Sequence, residues 1–274
     1  MRKILIPFDG TQYSDGAMNF AKKLNEAERI SVTGLFLPLV SMASLWSYAD
    51  PMTGASYSPL LEEGSGEMVD KNIKRFEEFC SAHNIRHEVN KAMYDFAMPE
   101  LRKETRFADV VILGSETFYH NIDGETPGEY LKEALHFAEC PVVVVPESYN
   151  FPEKNILAYD GSESSVFAIK QFMYLFPEFS ENPTLLVTTN KTSADLAEQD
   201  LDVHGLVSAH FNSISFLNLQ MDSKKYFATW MSENKNSILV CGAFSRSMIS
   251  QILRQSFVED VLRDHEIPVF ISHK

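Results

Sequence analysis

Residues 4–11, Ile-Leu-Ile-Pro-Phe-Asp-Gly-Thr, and residues 156–162, Ile-Leu-Ala-Tyr-Asp-Gly-Ser, open the two halves of the chain in the same way. Each is a short apolar run closed by Asp-Gly, which predicts a buried strand entering a turn. Downstream of the first, Ala17, Phe20, Ala21 and Leu24 follow the three-four spacing of one helical face, and Ser14 with Asp15 can cap the free amides at its start. Outward from this unit, the first half continues as a strand over 32–37, a helix through Met68, Ile73, Phe76 and Phe79, and an alternating strand over 85–92. A helix over 98–107, a strand over 109–114, a helix through Leu131, Ala134, Leu135 and Ala138, and a strand over 140–145 complete it. A long irregular loop, about 39–66, interrupts the series and carries Trp46, Pro51, Gly54, Pro59, Gly64 and Gly66.

The second half restarts the order. Val166, Ile169, Met173 and Phe176 mark its first helix, strands fall near 185–188 and 214–219, and a helix is expected around 224–233. Residues 237–242 match 109–114, and Ile267-Pro268-Val269-Phe270-Ile271 matches Cys140-Pro141-Val142-Val143-Val144. A duplication explains this most simply. Tyr149, Asn150, Phe151 and Pro152 form the linker, so domain 1 covers 1–148 and domain 2 covers 153–274. Strands that alternate with helices and are apolar throughout imply parallel sheets covered on both faces. Ligands of such sheets lie at the carboxyl ends of the strands, where strand order reverses. The loops after the first and fourth strands of each half are therefore the candidate sites. The duplication also predicts two sheets, not one continuous sheet.

Composition limits the partners. At 274 residues the chain can build two cores of common domain size, and 45% hydrophobic content argues against disorder. Lys plus Arg number 24 against 38 Asp plus Glu, and the resulting charge of −14 repels nucleic acid and anionic membranes. Cys80, Cys140 and Cys241 stand far apart in apolar stretches, without a CxxC pair, as expected of reduced thiols. The apolar run after Met1 stops at Pro7 and Asp9, too short for a signal peptide or a membrane span, which leaves the cytoplasm as the expected location.

The Asp-Gly-Ser/Thr ends of the opening strands, the glycine ending each fourth strand and the Pro-Val-rich closing strands resemble the tandem form of the universal stress protein family across nearly the whole chain. That resemblance implies two tandem flavodoxin-like or HUP-type (Rossmann-like) α/β domains, each with a five-stranded parallel sheet. It also implies ATP binding in a subset of members, through a Gly, two residues, Gly, nine residues, Gly, Ser/Thr pattern. In the second half the pattern reads Gly242, Ser245, Gln255, Ser256, so the outer positions match and both inner glycines are replaced. Ser245, Arg246, Ser247 and Ser250 still offer hydroxyls and a guanidinium to a phosphate near a helix start. In the first half the positions are Gly114, Thr117, Pro127 and Gly128, with Glu116, Asp123 and Glu125 between them. Proline removes an amide donor and three carboxylates oppose a polyphosphate, so this copy is expected to be degenerate.

Asp9 and Asp160 hold the family position at the end of the opening strand, where a carboxylate can face ribose, adenine or magnesium. An Asx turn with Gly10 or Gly161 explains them equally well. Gly114 and Gly242 admit either a tight turn or the close approach of a phosphate. The closest histidine pair, His83 and His87, straddles a helix end and a strand, a poor metal pair. GxSxG, GxxxxGK[ST] and GxGxxG are all missing, and no catalytic constellation emerges. Cys241 and Cys140 read as buried structural thiols. Trp46, Tyr48 and Tyr57, with Met42 and Met52, read as a lid over the sheet end or as a partner surface.

The expected protein is thus a non-catalytic, stress-associated regulatory or binding protein without a bound metal of its own. ATP, with magnesium, would be held in domain 2 by Asp160, Gly242, Ser245, Arg246 and Ser256; Asp9, Gly114, Thr117 and Gly128 would be the degenerate equivalents. The alternative is a nucleotide-independent scaffold whose domains pair through their closing strands. The resemblance implies a pseudo-dimer within the chain and leaves further dimerisation open.

Overall fold

The computed structural model describes residues 1–9, 12–37, 65–92, 97–115, 134–189, 196–219, 234–242 and 267–272. The first half runs β1 (Arg2–Asp9), α1 (Asp15–Ala27), β2 (Ile30–Leu37), α2 (Ser65–Ala82), β3 (Arg86–Lys91), α3 (Ala97–Thr105) and β4 (Val110–Gly114). A helical turn over 134–137 and β5 (Val142–Val145) close it. The second half runs β6 (Lys154–Tyr159), α4 (Glu163–Leu175), a 3-10 turn (Pro177–Glu181), β7 (Thr184–Thr189), α5 (Leu196–Ser208), β8 (Ile214–Leu219), β9 (Ser237–Gly242) and β10 (Val269–Ser272).

Local signals set these bounds. The Ser14 hydroxyl accepts from the Ala17 N–H at 3.1 Å and starts α1, and Ser162 does the same for Ser165 at the start of α4. Helix α2 stops where Asn84 turns left-handed, at φ 53°, so that the Ile85 N–H reaches back to the Cys80 carbonyl. Gly66 lies inside the first turn of α2, which corrects the expected loop of about 39–66: the helix has begun by Ser65. Residues 38–64, with the Trp46 set, and the helix expected around 224–233 lie outside the described residues. Helix α5 was not expected from the pattern. Asp200, Asp202, His204 and Gly205 dilute its apolar face, of which Val203 and Val207 are buried.

Each half is a parallel sheet in the order 3-2-1-4-5: β3-β2-β1-β4-β5 in the first and β8-β7-β6-β9-β10 in the second. This is the Rossmann-like order, not the flavodoxin one, in which the second strand is outermost. The registers agree as well. Ile4 pairs with Val32 and Val110, and Asn155, at the equivalent place, pairs with Thr184 and Ile238. One expectation needs correction, because the two halves form a single ten-stranded sheet. They join at one antiparallel seam, Val142–Val144 of β5 against Val269–Ile271 of β10, while every pairing inside each half is parallel. The strands that meet are equivalent copies, so the sheet is continuous because the duplicated units pair edge to edge.

Strand side chains alternate between two buried layers. Ile4, Ile6, Phe8, Ile112 and Val240 face a core with α1, α2, α4 and α5; Leu5, Val111, Leu113, Leu239 and Val269 face one with α3 and the 134–137 turn. The halves also meet beside the sheet. The buried Arg2 guanidinium donates to the Leu175 carbonyl at 2.7 Å and to Glu178 at 2.6 Å, and lies 5.3 Å from the centre of the Phe176 ring. Phe151, in the connection after β5, packs between Phe20 and Phe179, with ring centres 5.4 and 5.7 Å away.

Candidate functional site

Strand order reverses between β1 and β4 in the first half and between β6 and β9 in the second, so one crevice opens at each place. In the first crevice Gly114 ends β4 against the start of α1. A Cβ there would collide with the Ser14 hydroxyl oxygen and lie 2.6 Å from the Ser14 Cβ. Gly242 ends β9 against α4, where a Cβ would fall 2.5 Å from the Ser164 carbonyl carbon and 2.6 Å from the Ser165 nitrogen. Both glycines are therefore required by the contact of a strand end with a helix start. The turn and the phosphate readings are unnecessary to explain them.

The first crevice is filled from within. Glu147, just beyond β5, places its carboxylate at the start of α1 and accepts from the Gly16 N–H at 2.9 Å. Negative charge is favoured there by the free amides and the helix dipole, so Glu147 occupies the place that an external anion would take. Tyr13 stacks on Phe8, with ring centres 5.1 Å apart, and Phe8 stacks on Phe36 at 4.8 Å. The Arg75 guanidinium covers Tyr13 at 4.2 Å and is held there by both oxygens of Asp15, at 2.5 and 2.7 Å. Burial pushes the Tyr13 hydroxyl well above the usual tyrosine range, outweighing the opposing charge of Arg75. Asp9 ends β1. Thr117 and Gly128 lie outside the described residues.

In the second crevice Asp160 follows β6 and accepts from the Ser162 N–H at 3.0 Å, while Gly161 takes φ 80°. Asp160 thus forms the Asx turn expected of an Asp-Gly-Ser stretch, through one of its two oxygens. It sets the direction of α4, whose start is closed further by Ser165, donating to the Ser162 carbonyl at 2.8 Å. Ser245, Arg246 and Ser256 lie outside the described residues. Sequence reasoning missed Glu147, Tyr13 and Arg75. The available signal for Glu147 was the closing-strand match, which pairs Pro146-Glu147 with His273-Lys274 when carried three residues further.

The remaining chemistry is structural. The His83 ring donates to the Phe79 carbonyl at 2.8 Å, and the His87 ring packs edge-on against Phe76. Among the described residues, no group of three or more His, Cys, Asp or Glu could hold a metal ion. Burial pushes all three thiols up to about 12, with the charge of Asp109 adding at Cys140 and that of Asp160 at Cys241. At pH 8 about 10⁻⁴ of each is thiolate, so labelling by a disulfide reagent is expected to be slow in the native protein and complete in denaturant. Fast labelling of native protein would contradict that environment. Among the described residues, no helix is long and apolar enough to cross a membrane.

No protein-family model and no curated protein matches this sequence. Solved structures do. A universal stress protein from Archaeoglobus fulgidus DSM 4304 superposes with a TM-score of 0.71 at 12% identity, covering 100% of this chain and 96% of that one. The chain has the tandem universal stress protein fold. A protein of Pseudomonas aeruginosa UCBPP-PA14 assigned to the same class superposes with a TM-score of 0.58 at 12% identity, over 100% of this chain and 93% of that one. The universal stress protein fold thus spans both halves of the chain.

Proposed function

We propose that the protein is a non-catalytic regulatory protein of the stress-response type. Its domain 1, residues 1–148, is closed, and its domain 2, residues 153–274, takes an adenine nucleotide. Two things support this reading: the contacts that close the first crevice, and the phosphate-loop residues that the sequence of domain 2 retains. Domain 1 does not fit ATP, because the Glu147 carboxylate sits on the Gly16 amide and Tyr13 fills the space above Phe8. In domain 2 the residue matched to Glu147 in sequence is Lys274, a change from an acidic to a basic residue. Gly242, Ser245, Arg246 and Ser256 would face the phosphates, with Asp160 beside the sugar or the magnesium. A reducing, cytoplasmic setting belongs to the same proposal.

Titration calorimetry of the full chain with Mg-ATP tests it. The expected result is one site per chain, weakened about 10-fold or more by Arg246→Ala, in line with the loss of a charge-assisted hydrogen bond of about 1.5–3 kcal/mol. Two sites per chain would contradict a closed domain 1. Silence at millimolar ATP would leave the second reading, a nucleotide-independent scaffold. Packing favours that reading to one extent: α4 alone accounts for Gly242, the glycine that anchors the motif match.

A further inference from the structure

Among the described residues, the ten-stranded sheet ends in two edges without a further partner strand, β3 and β8. Register makes them equivalent strands. His87 stands opposite Val32, and Ile214 stands opposite Thr184, so His87-Glu88-Val89-Asn90-Lys91 corresponds to Ile214-Ser215-Phe216-Leu217-Asn218. An open edge presents unpaired N–H and C=O groups, which proteins usually guard with charge or proline. Strand β3 is guarded in this way, with Arg86, Glu88 and Lys91 all exposed. Strand β8 reads Ile-Ser-Phe-Leu-Asn-Leu and has neither. Its Phe216 is 49% exposed and stacks on His204 of α5 with ring centres 3.8 Å apart.

We propose that β8 is a dimerisation edge, pairing antiparallel with β8 of a second copy of this chain. Charge selects the occupant. Two chains of charge −14 repel each other and can meet closely only where neither presents charge, and β8 meets that condition. Self-pairing about a two-fold axis at Phe216 sets ring beside ring, a favourable cross-strand pair. The same geometry on β3 would centre on Val89, the equivalent of Phe216, and bring the two Glu88 carboxylates together on the cross-strand diagonal. A neutral strand also offers nothing with which to select a charged foreign peptide. The pairing would continue an arrangement already present in the molecule, since β5 and β10 are equivalent strands that meet antiparallel.

Sedimentation velocity of the full chain across the micromolar range, at low and high salt, tests the proposal. Wild type is expected to dimerise with rising concentration, more readily in high salt, where repulsion is screened. Phe216→Lys is expected to raise the dimer dissociation constant at least 10-fold. Ser215→Lys, at an exposed position, should do the same if Phe216→Lys disturbs folding. Glu88→Lys on β3 should not weaken the dimer, since it adds no charge to β8 and lowers the net repulsion between the chains. A wild type that stays monomeric, even one that takes up an extended peptide instead, overturns the proposal. So does a dimer that neither β8 variant weakens, or one that Glu88→Lys weakens equally.

Discussion

Arg2→Ala is expected to lower the unfolding free energy by roughly 3–5 kcal/mol, read from urea denaturation, because it strips one partner from a buried ion pair. The Arg2 side chain is 9% exposed and that of Glu178 16%. Removing the guanidinium leaves the Glu178 carboxylate without its 2.6 Å partner and the Leu175 carbonyl without its donor. Replacing both partners, as in Arg2→Met with Glu178→Leu, removes the stranded charge and should recover most of the loss. Arg2 belongs to β1 and Glu178 to the turn after α4, so the single variant also loosens one half from the other. The expected signature is a broadened or two-step transition. A loss below about 1 kcal/mol would mean that water already screens the pair, as at the surface.

Gly16→Ala is expected to cost about 2 kcal/mol or more in the same assay, at the upper end of overpacking costs. Its Cβ would overlap the Pro146 carbonyl oxygen and lie 2.9 Å from the Glu147 Cα. Both are backbone atoms and cannot swing aside as a flexible side chain can. Gly205→Ala provides the control, since it lies inside α5 with nothing within 4 Å of the added atom. There the gain in helix propensity should stabilise the chain by up to about 1 kcal/mol. Equal effects at both glycines would show that α1 does not press on the β5 end as described.

The contrast between these glycines shows what could be read in advance. The strands were legible because buried parallel strands are apolar throughout, and residues 110–114 and 238–242 align apolar for apolar up to the closing glycine. The helix starts at Ser14 and Ser162 were legible because capping is local. Helix α5 was not, since Asp200, Asp202, His204 and Gly205 stand among its apolar residues, of which Val203 and Val207 are buried and Leu206 partly buried against the core. The candidate site was harder for a different reason. Glu147 meets Gly16 across 131 residues of sequence, and Gly242 must lack a side chain because of Ser164 at the start of α4, 78 residues before it (242 − 164). Neither contact leaves a periodicity or a spacing to detect. The Asp160 turn, by contrast, is closed within two residues, and an Asx turn was one of the two readings of that residue.

The direction of the central seam has a final consequence. Because β5 and β10 run in opposite senses, the carboxyl ends of the two sets of five strands point to opposite margins of the sheet. The Glu147 crevice and the Asp160 crevice thus open on opposite sides of the molecule. No small ligand can span them. Any message between them must travel through the body of the protein, along Val142–Val144 and Val269–Ile271 or through Arg2 and Phe151.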